Sequence, residues 1–320
     1  METDRLTHLK KVAFTFQKTG YMVSQRHGMR SSCFDLAARK QSHLVLLKIL
    51  LNIDNFHEIH AKELALFSLL FSASPLIIGE RTRKALVEDG VVYERFSIPV
   101  VNYFTLTRIL YERLLPLIYA KRGGLYANID GERLKKARES EDLSLGDVAE
   151  LIGVSRKAVY EYERSNMNST IATALRLEEV FDIPLTVPLD IFSWMIKHKE
   201  SIEKELHQPI LDSALERLVQ KTLLQLGLRV LWTKSAPFNA VAEKEKDVLI
   251  TGVGSAKEKG IEERIGVMGS VSKVVDRNVM FVMEGKCDAP NIGGVPVIRR
   301  KELKQIEKPK KLFEVIEERS

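Results

Sequence analysis

Cysteine is nearly absent from this chain of 320 residues: Cys33 and Cys287 stand far apart, with no CxxC and no Cys/His cluster. That spacing excludes the usual structural zinc sites and any disulfide framework. Two isolated thiols fit a reducing compartment. Long apolar runs are missing too. The longest, such as Leu44–Leu51 and Leu64–Phe71, fall well short of the ~20 residues that span a bilayer. The N-terminus shows no signal-peptide core. A cytoplasmic protein without a membrane partner is therefore expected. There is no Walker A motif, no GxGxxG after a strand and no Ser/His/Asp arrangement. The seven histidines are scattered. His57 and His60 are i,i+3, but no further ligands accompany them. No catalytic residue, metal ligand or cofactor is expected.

What remains is ordinary globular material, 45% apolar and 29% charged, of a length that suits two or three domains. The net charge of +6 suits an anionic partner, although its distribution matters more than its sum. Leu6, Leu9, Val12, Phe14 and Phe16 recur at helical spacing, and Gly20 is a stop. Strands are expected at Tyr21–Ser24, Leu44–Leu51, Ser74–Ile78 and Ile98–Val101. A helix over His57–Phe71 places Ile59, Leu64, Phe67 and Phe71 on one face. Tyr103–Ala120 reads as a further helix kinked near Pro116. Gly123-Gly124 then suits a tight hairpin. From Asp130 to about Thr186 the pattern is all helical, punctuated by Pro184 and Pro188. Ile191–Lys204 and Pro209–Leu226 read as two more helices. The expected architecture is α+β and multidomain. Residues 1–120 form an α/β domain, 121–188 a central all-α helix-turn-helix domain with its preceding hairpin, and 189–320 connecting helices and a second α/β domain.

The two α/β segments read as divergent copies of one another, with chance similarity as the alternative. A helix ends at Gly20 in one and at Gly227 in the other. Phe34-Asp35-Leu36-Ala37 stands against Phe238-Asn239-Ala240-Val241, and Leu44–Leu47 against Val248–Ile250. Leu76–Ile78 stands against Val279–Val282, with Glu80 and Glu284 following. Ile98-Pro99-Val100-Val101 answers Val295-Pro296-Val297-Ile298.

The segment ERLKKARESEDLSLGDVAELIGVSRKAVYEYERSN carries the strongest signal. Leu134 and Ala137 face inward from a first helix. Ser144 caps a second, with Asp147 three residues on. Leu145, Val148, Ala149 and Ile152 form its apolar stripe, and Ala149 is small where two helices must approach. Gly153 permits the positive φ of a tight turn. Val154 plugs the core, and Ser155 caps a third helix buried through Val159 and Tyr162, with Tyr160 either buried or exposed. Arg156, Lys157, Tyr160, Glu161 and Arg164 are left to face outward. Arg156 and Lys157 occupy the first turn, the part of a recognition helix that enters the major groove. Arg there can donate two hydrogen bonds to guanine O6 and N7. Ser155 and Ser144 are placed to meet phosphates. Against this, Gly131–Ser165 holds seven Lys/Arg and eight Asp/Glu, a net of −1. Phosphate affinity must come from placement, with Lys121, Arg122, Lys135 and Lys136 as candidates, or from pairing two chains as a homodimer.

SLGDVAELIGVSRKAVYEYER resembles the DNA-binding domain of the phage Cro and lambda-repressor family over about residues 132–181. The resemblance implies double-stranded DNA as partner and a structural ion pair between Arg138 and Glu163. The Gln with which that family often contacts phosphate is Leu145 here. KRGGLY before the motif and VPVI near the end resemble the archaeal helix-turn-helix regulators. The first segment is faintly similar to restriction-endonuclease-like nucleases. Asp35 and Lys48 stand in suggestive places, but the position of the metal-binding acid is Leu46, and the second copy has Asn239 and Thr251 at the corresponding points. A degenerate nuclease-like fold without the chemistry is expected. Two other readings stay open, a nuclease targeted by the helix-turn-helix and an antitoxin-like protein-binding module. Any small-molecule or protein effector is unknown.

Overall fold

The structure, a computed structural model, describes residues 2–25, 32–193, 210–245, 247–287 and 289–320. Among the described residues the chain is mixed α/β with two sheets. The central segment expected to be all helical is mostly so, but the two-residue strand Ser169–Thr170 and an Ile129–Thr186 bridge tie it to extended backbone. It packs as two units. One contains residues 1–49, 55–76 and 195–320, the other residues 50–54 and 77–194.

In the first unit, helix α1 (Glu2–Lys18) buries Leu9, Val12 and Phe16. Phe14, expected on that face, is 55% exposed. The buried residues lie three and four apart, and Phe14 falls between them, off the stripe. After Gly20, at φ +85°, strands β1 (Met22–Val23), β2 (Leu36–Lys40) and β3 (His43–Asn52) form an antiparallel meander with Leu36 opposite Leu47. Strand β2 escapes a simple reading because Leu36, Ala37 and Ala38 are all buried. It therefore lacks the alternation of a half-exposed strand. Helix α2 (Glu58–Phe71) turns Leu64, Phe67 and Phe71 inward, whereas Ile59, expected with them, is half exposed.

Strand β4 (Ser74–Arg81) leads into the second unit. There it pairs in parallel with β6 (Ile98–Val101), which pairs antiparallel with β5 (Val91–Arg95). Helix α3 (Tyr103–Thr107) is capped by Asn102 and continues as one π-helical turn to Glu112. It ends at Arg113, at φ +59°. The long helix expected over Tyr103–Ala120 is thus cut short before Pro116, because the residue preceding a proline is driven from helical to extended backbone. Ile118–Lys121 is instead strand β7, parallel to β5, and it forms the anticipated hairpin with β8 (Gly124–Ala127). Four helices follow: α4 (Gly131–Ser140), α5 (Leu145–Ile152), α6 (Arg156–Glu163) and α7 (Ile171–Phe181). The short strand β9 (Ser169–Thr170) precedes α7 and pairs with β8.

The rest of the first unit begins at α8 (Ala214–Gln225), capped by Ser213 with Glu216 in a reciprocal box. The helix expected over Pro209–Leu226 therefore starts at this cap. Most of the helix expected over Ile191–Lys204 lies outside the described residues. Strands β10 (Arg229–Trp232), β11 (Ala240–Lys244) and β12 (Asp247–Ser255) form a second antiparallel meander. Helix α9 (Ile261–Val275) returns the chain to β13 (Asn278–Glu284), parallel to β12. β14 (Asn291–Ile292) is antiparallel to β15 (Val295–Arg299), which is parallel to β13. Helices α10 (Arg300–Leu303) and α11 (Pro309–Arg319) complete the chain.

The two α/β segments thus share one element order, helix, three-stranded meander, helix and strand, then a short strand antiparallel to the last. They also share details. Asp35 N donates to Leu47 O, and Asn239 N to Thr251 O. Asp35 Oδ2 accepts from Ile49 N at 2.8 Å, and Asn239 Oδ1 from Val253 N at 2.7 Å. This register sets Thr251 opposite Leu47, so the counterpart of Lys48 is Gly252, not Thr251.

Within the first unit, elements of the N-terminal and C-terminal α/β segments pack on each other. The equivalent rings Phe34 and Phe238 lie 6.4 Å apart, and Phe238 sits edge-on to Phe67 at 5.2 Å. Cys33 N donates to Ser235 O, Gln25 N to Ser270 Oγ, and Arg39 to Val275 O. Thr233 and Ser235 donate to the carboxylate of Glu63, whose pKa burial pushes above the usual carboxylate range.

Candidate nucleic-acid interface

The helical core of Leu134, Val148, Ala149, Ile152, Val159, Tyr162, Ala174 and Leu177 fixes α4 to α7 as one body. Each recognition element is defined by its cap. Ser144 Oγ accepts from Asp147 N, and Asp147 Oδ2 accepts from Ser144 N at 2.7 Å, a full capping box at the start of α5. Those bonds hold the exposed Asp147 carboxyl below its usual pKa. Gly153, at φ +71°, ends α5, and its N–H and that of Val154 close the helix onto Glu150 and Ala149 carbonyls. Ser155 Oγ accepts from Ala158 N at 3.1 Å and starts α6. Capping uses the oxygen of Ser155, so its O–H remains a donor for phosphate.

Arg156 and Lys157 are exposed in the first turn of α6, while Val159 and Tyr162 are buried. Tyr160 is 44% exposed and therefore belongs to the outer face, not the core. Its hydroxyl accepts from Arg164 Nη1 at 2.8 Å, and the Arg164 guanidinium lies over its ring. Glu161 is half-buried and accepts from Asn166 Nδ2, bracing the loop after the helix. The structure therefore brings Ser155, Arg156, Lys157, Tyr160 and Arg164 to one helix, with Ser144 at the start of its neighbour.

The bracing residues meet as well. Arg138 grips Glu163 through two hydrogen bonds, Nε to Oε1 at 2.5 Å and Nη2 to Oε2 at 3.2 Å, and it donates a third to Leu143 O. The side chains are only 13% and 7% exposed, so this pair is far more sheltered than a surface ion pair. Ala149 is buried against the neighbouring helices. Three residues that motif reading missed share the task. A Cβ on Gly131 would sit 2.3 Å from the Glu163 carbonyl oxygen, so glycine there lets α4 touch the end of α6. Arg176 donates to Ile152 O at the end of α5. Glu178 accepts from the backbone of Leu185 and Thr186. The Asp130-Gly131 dipeptide was the available signal for the first; the others depend on contacts made only in the folded chain.

The nuclease-like position has a different character. Asp35 is buried, and its carboxylate accepts from Arg5 at 2.6 Å, Ser32 Oγ at 3.0 Å, Ile49 N at 2.8 Å and Lys48 at 3.4 Å. Lys48 is also buried and donates to Ser32 O at 2.6 Å. Burial lowers its pKa against the pull of Asp35. The acid position is Leu46, fully inside the core. A divalent cation needs several oxygen ligands, yet here one saturated carboxylate faces two cations. In the C-terminal α/β segment Asn239 stands where Asp35 does in the first, and Arg264 donates to it. These residues do not fit a metal site, and no group of three or more His, Cys, Asp or Glu among the described residues could hold one.

Residues 5–116 match the PD-(D/E)XK superfamily domain, and residues 134–187 match a helix-turn-helix family. The central segment is therefore a helix-turn-helix domain of the Cro and lambda-repressor type. Over nearly its whole length the chain is similar to proteins named "Putative HTH-type transcriptional regulatory protein". It is 37% identical to one from Thermococcus gammatolerans over 99% of this chain and 97% of that one. It is 40% identical to one from Pyrococcus furiosus over 92% and 91%, and 34% identical to one from Methanosarcina acetivorans over 97% and 96%. The chain belongs to this family of HTH-type proteins. A solved SinR protein/SinI protein complex is 25% identical, covering 30% of this chain and 79% of that one at a TM-score of 0.17. No described helix is long and apolar enough to cross a membrane.

Proposed function

We propose that this protein is a sequence-specific transcriptional regulator that inserts α6 into the major groove of double-stranded DNA and cleaves nothing. The observation that carries the reading is the start of α6. Ser155, Arg156 and Lys157 are exposed on a helix whose opposite face is locked by Val159, Tyr162 and the Arg138–Glu163 pair. Rigid presentation of an arginine fork is what base readout requires. The family to which the chain belongs supports the same reading. The charge-saturated Asp35 and the apolar Leu46 support a role for the nuclease-like domain other than catalysis.

The shared element order supports a divergent duplication of the α/β domain, flanking a helix-turn-helix domain at 121–188. Activity as a homodimer on two half-sites is supported by the net charge of −1 over Gly131–Ser165, since pairing two chains multiplies the phosphate contacts. Residence in the cytoplasm completes the reading.

The test uses a short duplex selected from a random library with the full chain. Arg156→Ala should cost about 1–3 kcal/mol on that duplex and relax preference at one base pair. A scrambled duplex should register less loss. Unchanged affinity of the variant for the selected duplex would sink the assignment of Arg156.

A further inference from the structure

The β7–β8 hairpin stands immediately before the helix-turn-helix and is bonded into it. Tyr126 and Ala127 of β8 pair with Thr170 and Ser169 of β9, and β9 follows α6 after the loop 164–168. Thr170 is also the N-cap of α7. Where β9 ends by turning into α7, β8 and its partner β7 run on. From Tyr126 to the turn at Gly123–Gly124 is two or three residues, or about 7–10 Å of strand beyond the last shared pair. The tip is a two-residue turn, Arg122-Gly123, between the paired Lys121 and Gly124.

Three features make this tip a presenting device rather than a slack loop. Positive φ falls on glycines, Gly123 at +104° and Gly124 at +147°, so the turn is free of strain. The rings of Tyr119 and Tyr126 lie 6.2 Å apart across the hairpin, and a Cβ at Gly123 would come within 3.1 Å of the Tyr126 hydroxyl. Lys121 and Arg122 are exposed, and neither has a carboxylate partner among the described residues. The contrast is with α4, whose Lys136 is bonded to Glu132 at 2.6 Å and whose Lys135 is near Glu139. The lysines of α4 each have a carboxylate one turn away on their own helix; the two cations of the hairpin have none among the described residues.

We infer that the β7–β8 hairpin is a DNA-binding wing, with Lys121 and Arg122 gripping phosphates beside the groove that α6 occupies. The inference rests on the major-groove reading above. It supplies the phosphate affinity that a domain without net positive charge lacks. Contacts of this kind position a protein on the duplex without reading its sequence. The wing should therefore strengthen binding to every duplex alike.

The experiment measures the full chain on the selected duplex and on a scrambled one over a series of salt concentrations. Each phosphate contact contributes about 0.9 to the slope of log K against log salt. K121A/R122A should lower the slope by roughly 1.8 per bound chain and weaken both duplexes by the same factor, about tenfold. K121R/R122K, which keeps both charges, should restore the slope. The thermal midpoint of each variant checks the fold and should match the parent, because both side chains are exposed. An unchanged slope in K121A/R122A, with Arg156→Ala still weakened, overturns the wing and leaves the recognition helix standing. A loss confined to the selected duplex makes the tip a base reader and overturns the phosphate assignment. If the parent chain binds neither duplex, the major-groove reading fails and the wing fails with it.

Discussion

Asp35 gathers four donors on one buried carboxylate, two of them cationic. Arg5 reaches it from α1, and Lys48 from the strand that carries Leu46. The cluster holds α1, the Ser32 turn and β3 together by charge. Removing one partner of such a group leaves uncompensated charge in the interior, at a cost of about 3–5 kcal/mol. Asp35→Asn should therefore destabilise the chain by roughly 3 kcal/mol in chemical denaturation. Adding Lys48→Met should recover part of the loss, since one orphaned cation is removed with it. A neutral Asp35→Asn variant would show that the cluster is not a brace. In the same arrangement burial pushes the Lys48 pKa below the usual lysine range, and the Asp35 carboxylate offsets only part of that.

Helix ends decide the recognition element. Ser144 starts α5, Gly153 ends it and Ser155 starts α6, and Arg138 with Glu163 ties the end of α6 to α4. A charge-assisted hydrogen bond contributes about 1.5–3 kcal/mol. A sheltered, two-bond pair belongs in that range rather than in the ~0–1 kcal/mol of exposed pairs. Replacing Arg138 or Glu163 with Ala should each cost about 2 kcal/mol, and a double-mutant cycle on thermal unfolding should return a coupling well above zero. Additive losses would remove the pair from the account of the domain. The caps were legible in the sequence because capping is local: the side chain and the N–H it satisfies are three residues apart. Tyr160 was ambiguous because helical periodicity places it at the border of the buried stripe. The Arg164 fork settles it outward.

At the scale of the whole molecule, elements of the two α/β segments pack on each other within the first unit. Phe34, Phe67, Phe71 and Phe238 close one aromatic cluster inside the first unit, so this face is already occupied within one chain. The proposed homodimer uses other surface. Sedimentation of the full chain with the selected duplex at micromolar concentration should find two chains per duplex, and footprinting two half-sites about one helical turn apart. One chain protecting a single, non-palindromic half-site would show that the regulator works as a monomer.

The sequence by itself determined what depends on near neighbours along the chain. The caps, the Gly153 turn, the outward Arg156 and Lys157, and the parallel order of motifs in the two α/β segments are of this kind. Local hydrogen bonds and a repeated apolar pattern specify them without any distant partner. Tertiary structure decided what depends on who lies opposite. Burial on both faces made a strand of Leu36–Lys40. Pairing of Ile118 with Val91, after the break at Arg113 and Pro116, made a strand of residues that otherwise continue a helical pattern. Register assigned Gly252, not Thr251, to the place of Lys48. Arg5, far from Asp35 in sequence, became its partner only because α1 packs beside β3. An ion pair across such a separation leaves no periodic trace in a single sequence, since its energy comes from a shared low-dielectric site that exists only once the chain has folded.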